Sequence, residues 1–281
     1  MIDIDFERVG PKPVDAATLI LIRAAVSGIE VFCVERNKKS RFMGGALVFP
    51  GGKVDVEDAW GDGYSAPRVT AAPFANDDGH FRALAIAACR ESLEEAALLP
   101  VRGGALDDAE LDALRKRLQA EGATLIRSYL RERGLTLDLA ALHPFARWVT
   151  PEVEPRRFDA RFFVAIAPPG QSGAHDEHET MASFWATPAD ILQRFDRSEV
   201  VLAPPTHRTL DVLATCATTH DVLAYCASAC LDPIMPKAIR FDGTTALTLP
   251  GDPAHPVQTS RVPGVSRFVL RGERWLPEPA R

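Results

Sequence analysis

Arg90-Glu91-Ser92-Leu93-Glu94-Glu95-Ala96-Ala97-Leu98 lies inside a run rich in alanine, leucine and glutamate, which covers 81–99 without a glycine and is closed by Pro100. Such a composition predicts a helix. At about 100° per residue, Ile86, Cys89, Leu93 and Ala97 share one face, Glu91 and Glu95 lie roughly opposite, and Glu94 flanks them. Like charges four residues apart repel, so carboxylates gathered beside one surface need a cation, a basic partner or full solvation. An isolated Glu-x-x-Glu-Glu is usually a solvated face. The residues upstream favour a hard divalent cation with oxygen ligands, magnesium or manganese.

Those upstream residues begin with two β-rich runs at 16–25 and 29–36, separated by the small pair Ser27-Gly28 expected at a hairpin turn. A third short apolar run, 46–49, stops at Pro50-Gly51-Gly52-Lys53. Proline cannot continue a ladder and glycine permits close backbone approach, so a tight functional loop is expected there, able to offer a carbonyl to the same cation. Residues 59–79 read as loop, and 107–120 and 124–133 as two amphipathic helices forming an insert. Strands are expected again at 145–149 and 158–167, followed by a polar loop over 168–180 and a short segment at 183–186. Helices are expected at 188–195 and 206–217, with prolines near their starts, and the proline-rich tail reads as β-like or irregular.

Strand, glycine bend and carboxylate helix in this order resemble the Nudix hydrolase family, whose box reads G-x5-E-x7-R-E-U-x-E-E-x-G-U, with U a bulky apolar residue. Gly52 takes the first position, Asp58 replaces the first glutamate, and Arg90, Glu91, Glu94, Glu95 and Leu98 match the second half. Ser92 stands where an apolar residue is usual, Ala97 replaces the second glycine, and the spacer from Ala59 to Cys89 holds 31 residues instead of seven. Pro50-Gly51-Gly52-x-x-Asp55-x-x-Asp58 followed by a long insert is similar to the branch that contains peroxisomal coenzyme A diphosphatases. Arg147-Trp148-Val149-Thr150-Pro151-Glu152, Arg156-Arg157-Phe158-Asp159 with Phe162-Phe163, and Ala203-Pro204-Pro205-Thr206 extend the resemblance over roughly 16–217, and Leu249-Pro250-Gly251-Asp252 adds a weaker likeness.

The resemblance implies an α/β fold, the Nudix α/β/α sandwich with a mixed sheet, a helical insertion and a C-terminal extension. One domain over 1–281 is expected, with insertions at about 59–79 and 100–140 and an extension after about 218. It makes Glu91, Glu94 and Glu95 ligands of Mg2+ or Mn2+ or the water-activating base, places the Gly51 carbonyl in the metal shell, and gives Arg90 the task of orienting a neighbouring carboxylate. Glu179, six positions before Trp185, is the candidate for a further ligand or base, while His175, Asp176, Glu177 and His178 read as a solvated loop. Substrate contacts are expected from Gly52, Lys53, Arg156 and Arg157. Arg147 and Arg161 cluster with them along adjacent strands and could also meet phosphate, unless they pair with carboxylates, but Arg156 and Arg157 are preferred because they lie in the matched segment. The implied substrate is a small nucleotide-derived diphosphate, coenzyme A or acyl-coenzyme A, with ADP-ribose or NADH as alternatives. A catalytically inactive Nudix-fold nucleotide-binding or regulatory module is the rival class, and retention of all three helix glutamates speaks for an enzyme.

Composition narrows the partners. With 32 basic and 38 acidic residues among 281, the net charge of −6 argues against nucleic acid and against a membrane surface. No run approaches the ~20 apolar residues of a membrane span. Five cysteines without a Cys-x-x-Cys pair fit buried reduced thiols and a cytoplasmic setting, and a monomer or homodimer is expected. Gly61-Asp62-Gly63-Tyr64-Ser65-Ala66 formally fits a dinucleotide loop but lacks a preceding strand, and no G-x-S-x-G elbow is present.

Overall fold

The computed structural model describes residues 6–37, 45–67, 72–175 and 180–280. Strands β1 (Val14–Ala25) and β2 (Gly28–Arg36) form the expected hairpin, although the turn residues are Val26 and Ser27, and Gly28 (φ 114°) opens β2. The pair is zipped only near its turn, from Ile22 opposite Val31 to Ala25 opposite Gly28. Beyond that point the strands diverge, and the following segment enters the gap. Its first part, β3 (Ala46–Val48), pairs with β2, and its second, β4 (Gly51–Lys53), pairs with β1. Pro50 sits at the change of partner, where no N–H is needed and its carbonyl accepts from Leu19 N–H at 2.9 Å. The expected glycine loop is therefore a short strand: Gly51 and Gly52 lie opposite Thr18 and Ala17.

A 3-10 turn at Val56–Asp58 leads toward helix α1 (Asp78–Ala96). The insert that follows comprises β5 (Val101–Arg102), α2 (Asp108–Glu121), α3 (Leu125–Glu132) and β6 (Thr136–Leu137). Strands β7 (His143–Val149), β8 (Phe158–Ile166) and β9 (Thr180–Ala186) complete the larger sheet with short edge strands β10 (Val201–Leu202) and β11 (Pro233–Ile234). Between them run α4 (Pro188–Asp196), α5 (Pro204–Leu213) and α6 (Thr219–Ser228). The order is β10-β3-β2-β1-β8-β7-β11, with β4 on β1 and β9 on β2. The sheet is mixed, because β1 runs parallel to β8 and antiparallel to β2 and β4.

The apolar run of β1 is explained by burial on both faces. Ala17, Leu19 and Leu21 point to the layer of α1, α2 and α3, while Ile20 and Ile22 point to the layer of α4, α5 and α6. Phe163 and Phe162 of β8 divide in the same way. This is the α/β/α sandwich that the resemblance implied. Leu111, Leu114 and Leu118 of α2 are at most 3% exposed. Burying each contributes roughly 1.5–3 kcal/mol, so the helical insert is docked on α1. In the C-terminal extension, β12 (Lys237–Phe241), β13 (Thr244–Thr248), β14 (Arg267–Arg271) and β15 (Arg274–Glu278) form an antiparallel meander. Its Leu247, Phe268 and Trp275 join the same core as Ile20. In that extension Asp252 of the familiar Leu249–Asp252 run is fully buried against Arg267, which holds it bidentately at 2.8 and 3.1 Å.

Two sequence expectations need correction. Helix α1 stops at Ala96, three residues before the expected end at Leu99, because Ala97 adopts the left-handed conformation (φ 51°, ψ 41°) that glycine normally occupies. Its N–H reaches Leu93 O at 3.0 Å, and the Ser92 hydroxyl donates to Leu98 O at 2.9 Å, so the unusual serine secures the unusual end. Ala97→Gly is expected to stabilise the protein by about 0.5–1 kcal/mol by relieving the Cβ strain, less the added freedom of the unfolded chain; a lower midpoint in urea titration would refute this. The thiols also divide unevenly: Cys33, Cys89 and Cys226 are buried, but Cys230 is exposed. Burial pushes the Cys33 thiol up to about 12. Among the described residues no helix is long and apolar enough to cross a membrane.

Candidate active site

Helix α1 and strand β4 meet where β1 and β2 have opened. The helix can lie close because alanines and glycine line the contact, and it is buried on most of its circumference, including Glu95 at 6% exposure. The carboxylate face is thus a packed seam rather than a solvated surface. Glu95 Oε2 accepts the Gly51 N–H at 3.1 Å, tying the helix to the glycine strand.

Arg90 is the hub of this seam. Its Nε and Nη2 donate to Asp58 Oδ1 and Oδ2 at 2.9 and 3.0 Å, a two-pronged fit that aspartate achieves in place of the usual glutamate. Nη2 also donates to Lys53 O at 2.8 Å, and Nη1 reaches Glu91 Oε1 at 2.8 Å and Glu94 Oε2 at 3.3 Å. Asp55, part of the Pro50–Asp58 motif but not among the expected site residues, stands 3.4 Å from Nη2 and donates its backbone N–H to Asp58 Oδ2 at 2.8 Å. The Asp-x-x-Asp spacing of a capping box was the available signal. Burial works against the Arg90 cation, but Asp58, Glu91 and Glu94 outweigh it and hold the guanidinium above its ordinary range.

The carboxylates respond in the opposite sense. Burial pushes Glu91 up to about 7, with Arg90 opposing and Glu94 reinforcing the shift. Burial also raises Glu94, again opposed by Arg90, with Asp58 and Asp55 adding to the rise. More negative charge is packed here than one arginine neutralises. A Cβ placed on Gly52 would lie 2.4–2.6 Å from the Glu91 carboxylate, so only glycine leaves that group its place against β4. Gly51 is confined differently, with Ala17 O and Thr18 Cα 2.6 and 2.8 Å from such a Cβ. Gly52→Ala is therefore expected to lower turnover at least ~10-fold with little loss of stability, whereas Gly51→Ala, which meets backbone, unfolds the site. Steady-state rates and thermal melts on both variants separate the two.

The expected convergence of Glu91, Glu94 and Glu95 on one ion is not what the side chains show. Among the described residues no three acidic, imidazole or thiol groups stand ready to hold a metal. Arg90 draws Glu91 and Glu94 to itself, while Glu95 accepts the Gly51 N–H. By donor chemistry the set still fits a hard divalent cation, being oxygen-only, over-supplied with negative charge and backed by Gly51 and Gly52, which carry no side chains.

The other candidates fall in several places. Lys53 is exposed beside the seam. Arg156 is exposed and, among the described residues, makes no hydrogen bond or ion pair. Arg157 is spent on Thr150 O and Pro11 O at 3.1 and 3.0 Å. Arg147 is held by Asp159 at 2.9 and 2.7 Å, and Arg161, 1% exposed, by Asp15 and Phe74 O, so both are internal braces. Glu179, with Asp176, Glu177 and His178, lies outside the described residues. His175 lies within them, 3.3 Å from the Ser183 hydroxyl.

Fold and seam together define a Nudix hydrolase, and the chain belongs to that family. The family described as the NUDT19 Nudix domain matches residues 71–213. The chain is similar to acyl-coenzyme A diphosphatase NUDT19 of Gallus gallus, 28% identical over 278 residues, covering 81% of this chain and 73% of that protein. The Homo sapiens protein of the same name is 28% identical over 80% of this chain and 72% of its own. Among solved structures, a Nudix hydrolase from Alicyclobacillus acidocaldarius superimposes with a TM-score of 0.64 at 32% identity, covering 76% of this chain and 96% of that one.

Proposed function

We propose that the protein hydrolyses the diphosphate of coenzyme A or an acyl-coenzyme A with Mg2+ or Mn2+, releasing 3′,5′-ADP and a phosphopantetheine product. The reading is carried by the intact Arg90–Glu91–Glu94–Glu95 seam against Gly51–Lys53; the substrate class is supported by the likeness to proteins named acyl-coenzyme A diphosphatases. Glu91, Glu94 and Glu95 would hold the cation, which when bound neutralises diphosphate oxygens and lowers the pKa of water. Arg90 keeps Glu91 and Glu94 aimed along the seam, and Asp58 keeps Arg90 in place. A carboxylate of this group, or Glu179, accepts the proton as water attacks one phosphorus and the bridging P–O bond breaks, leaving two phosphate monoesters. Lys53 and Arg156 are free to meet substrate oxygens. The test is product analysis after incubation with coenzyme A, acetyl-coenzyme A, ADP-ribose or NADH and either metal. Release of 3′,5′-ADP supports the reading, and cleavage of ADP-ribose or NADH alone replaces it.

Cation binding has a pH signature. The Glu91 carboxyl is raised from 4.5 to about 7, so its ionisation destabilises the folded protein progressively as pH rises through that window. A bound divalent cation relieves this cost only where the group is ionised. The rise in Tm caused by millimolar Mg2+ is expected to be larger at pH 8 than at pH 6; an equal or reversed increment in thermal melts would contradict it.

A further inference from the structure

The two insertions meet in a cleft of about 320 Å3 that Glu91, Glu94 and Glu95 do not line. That volume is at the lower end of the roughly 300–1,000 Å3 typical of small-molecule sites. One wall is the 3-10 turn and the residues after it, with Trp60 as a floor, 8% exposed. The opposite wall is one face of α3, where Thr124, Arg127, Ser128 and Arg131 recur at helical spacing while Leu125, Ile126 and Leu130 are buried in the core. The first wall adjoins the catalytic seam, because its flanking Asp55 and Asp58 grip Arg90.

The polar groups of this cleft are under-used. Arg127 and Arg131 both reach one oxygen, Asp62 Oδ1, the second at 3.4 Å. A guanidinium has five N–H donors, so most of the ten point elsewhere. Asp62 is 64% exposed and its carboxyl is held below its usual range chiefly by the hydrogen bond from Arg127. Glu57 also lines the cleft, and an incoming anion competes with the solvated Asp62 carboxylate for the two guanidiniums.

We propose that this cleft is a subsite for a nucleoside bearing a phosphomonoester, seated on Trp60 with its phosphate taken by Arg127 and Arg131. The proposal rests on the diphosphatase reading and deepens it. Coenzyme A carries a 3′-phosphate beyond its diphosphate, whereas ADP-ribose and NADH carry none, so the subsite selects among the candidate substrates.

The experiment compares coenzyme A with 3′-dephospho-coenzyme A in steady-state kinetics. The parent protein prefers the 3′-phosphorylated substrate. In Arg127→Gln/Arg131→Gln the KM for coenzyme A rises about 10-fold with kcat within about twofold, and the dephospho substrate is unaffected. Asp62→Asn removes the competing carboxylate, so the KM for coenzyme A falls; if the arginines merely brace the loop, it rises instead. Equal KM for both substrates in the parent, or equal losses on both in the double variant, overturns the subsite. If the parent cleaves neither compound, the diphosphatase reading fails, and the subsite is decided by calorimetric titration with adenosine 3′,5′-bisphosphate. Binding that disappears in the double variant sustains it, and absence of binding to the parent overturns it.

Discussion

Glu94→Gln and Glu95→Gln are each expected to lower kcat at least ~100-fold while the circular dichroism spectrum stays that of the parent. The magnitude follows from removing one charge-stabilising group from a pre-organised site. The isosteric change is chosen because the packing is tight: in Glu95→Gln the side-chain amide still offers an oxygen to Gly51 N–H, so the strand contact survives while the negative charge is lost. At position 94, partly in solvent, the amide loses the charge that Arg90 Nη1 balances, a modest structural change. Weaker stabilisation by Mg2+ should accompany the kinetic loss in both variants. Rates within about threefold of the parent in both would remove the seam from the chemistry and leave the rival reading, a Nudix-fold binding module.

How much of this was legible in the sequence depended on whether a residue's neighbours were local. The body of α1 was, because alanine, leucine and glutamate favour a helix at every position. Its end was legible only in part: the family glycine that Ala97 replaces marks a left-handed position, whereas the helix preference of alanine favours running on to Leu99. Helix α6 lies in a stretch for which no helix is expected, yet the capping box of Thr218 and Asp221 is a local signal for it. Proline content makes the meander read as β-like or irregular, although Asp242-Gly243 between β12 and β13 is a strong hairpin signal. For the glycine bend, composition suggested a loop, whereas the decisive fact is tertiary: β1 and β2 open, and in the gap Gly51 meets the β1 backbone and Gly52 meets Glu91 of α1 too closely for a side chain.

The arginines teach the same point in electrostatic form. By residue type alone all four guanidiniums on these strands suit phosphate, yet Arg147 and Arg161 stand opposite each other across β7 and β8 with Asp159 between them. Buried cations without such a partner would be costly, so a carboxylate two positions from Arg161 was the cue that these two are structural. Arg156 differs by being exposed and unpaired among the described residues, which keeps it available to substrate.

Arg90→Met should produce a large loss of stability, about 3–5 kcal/mol, because it strands buried carboxylates instead of removing a pair. Asp58 is 1% exposed and Glu91 14%, so water cannot replace the lost donors without opening the seam between α1 and the 3-10 turn. The Tm is expected to fall on the order of 10 °C. Arg90→Lys should recover only part of this, since an ammonium cannot span both oxygens of Asp58 and also reach Lys53 O and Glu91. The double change Arg90→Met/Asp58→Leu, which removes both partners, should cost less than the sum of Arg90→Met and Asp58→Leu made singly. Denaturant titrations of the parent and these variants decide the matter. If Arg90→Met unfolds within about 1 kcal/mol of the parent, the seam is held by apolar packing, and Arg90 acts on the carboxylates' orientation rather than on the fold.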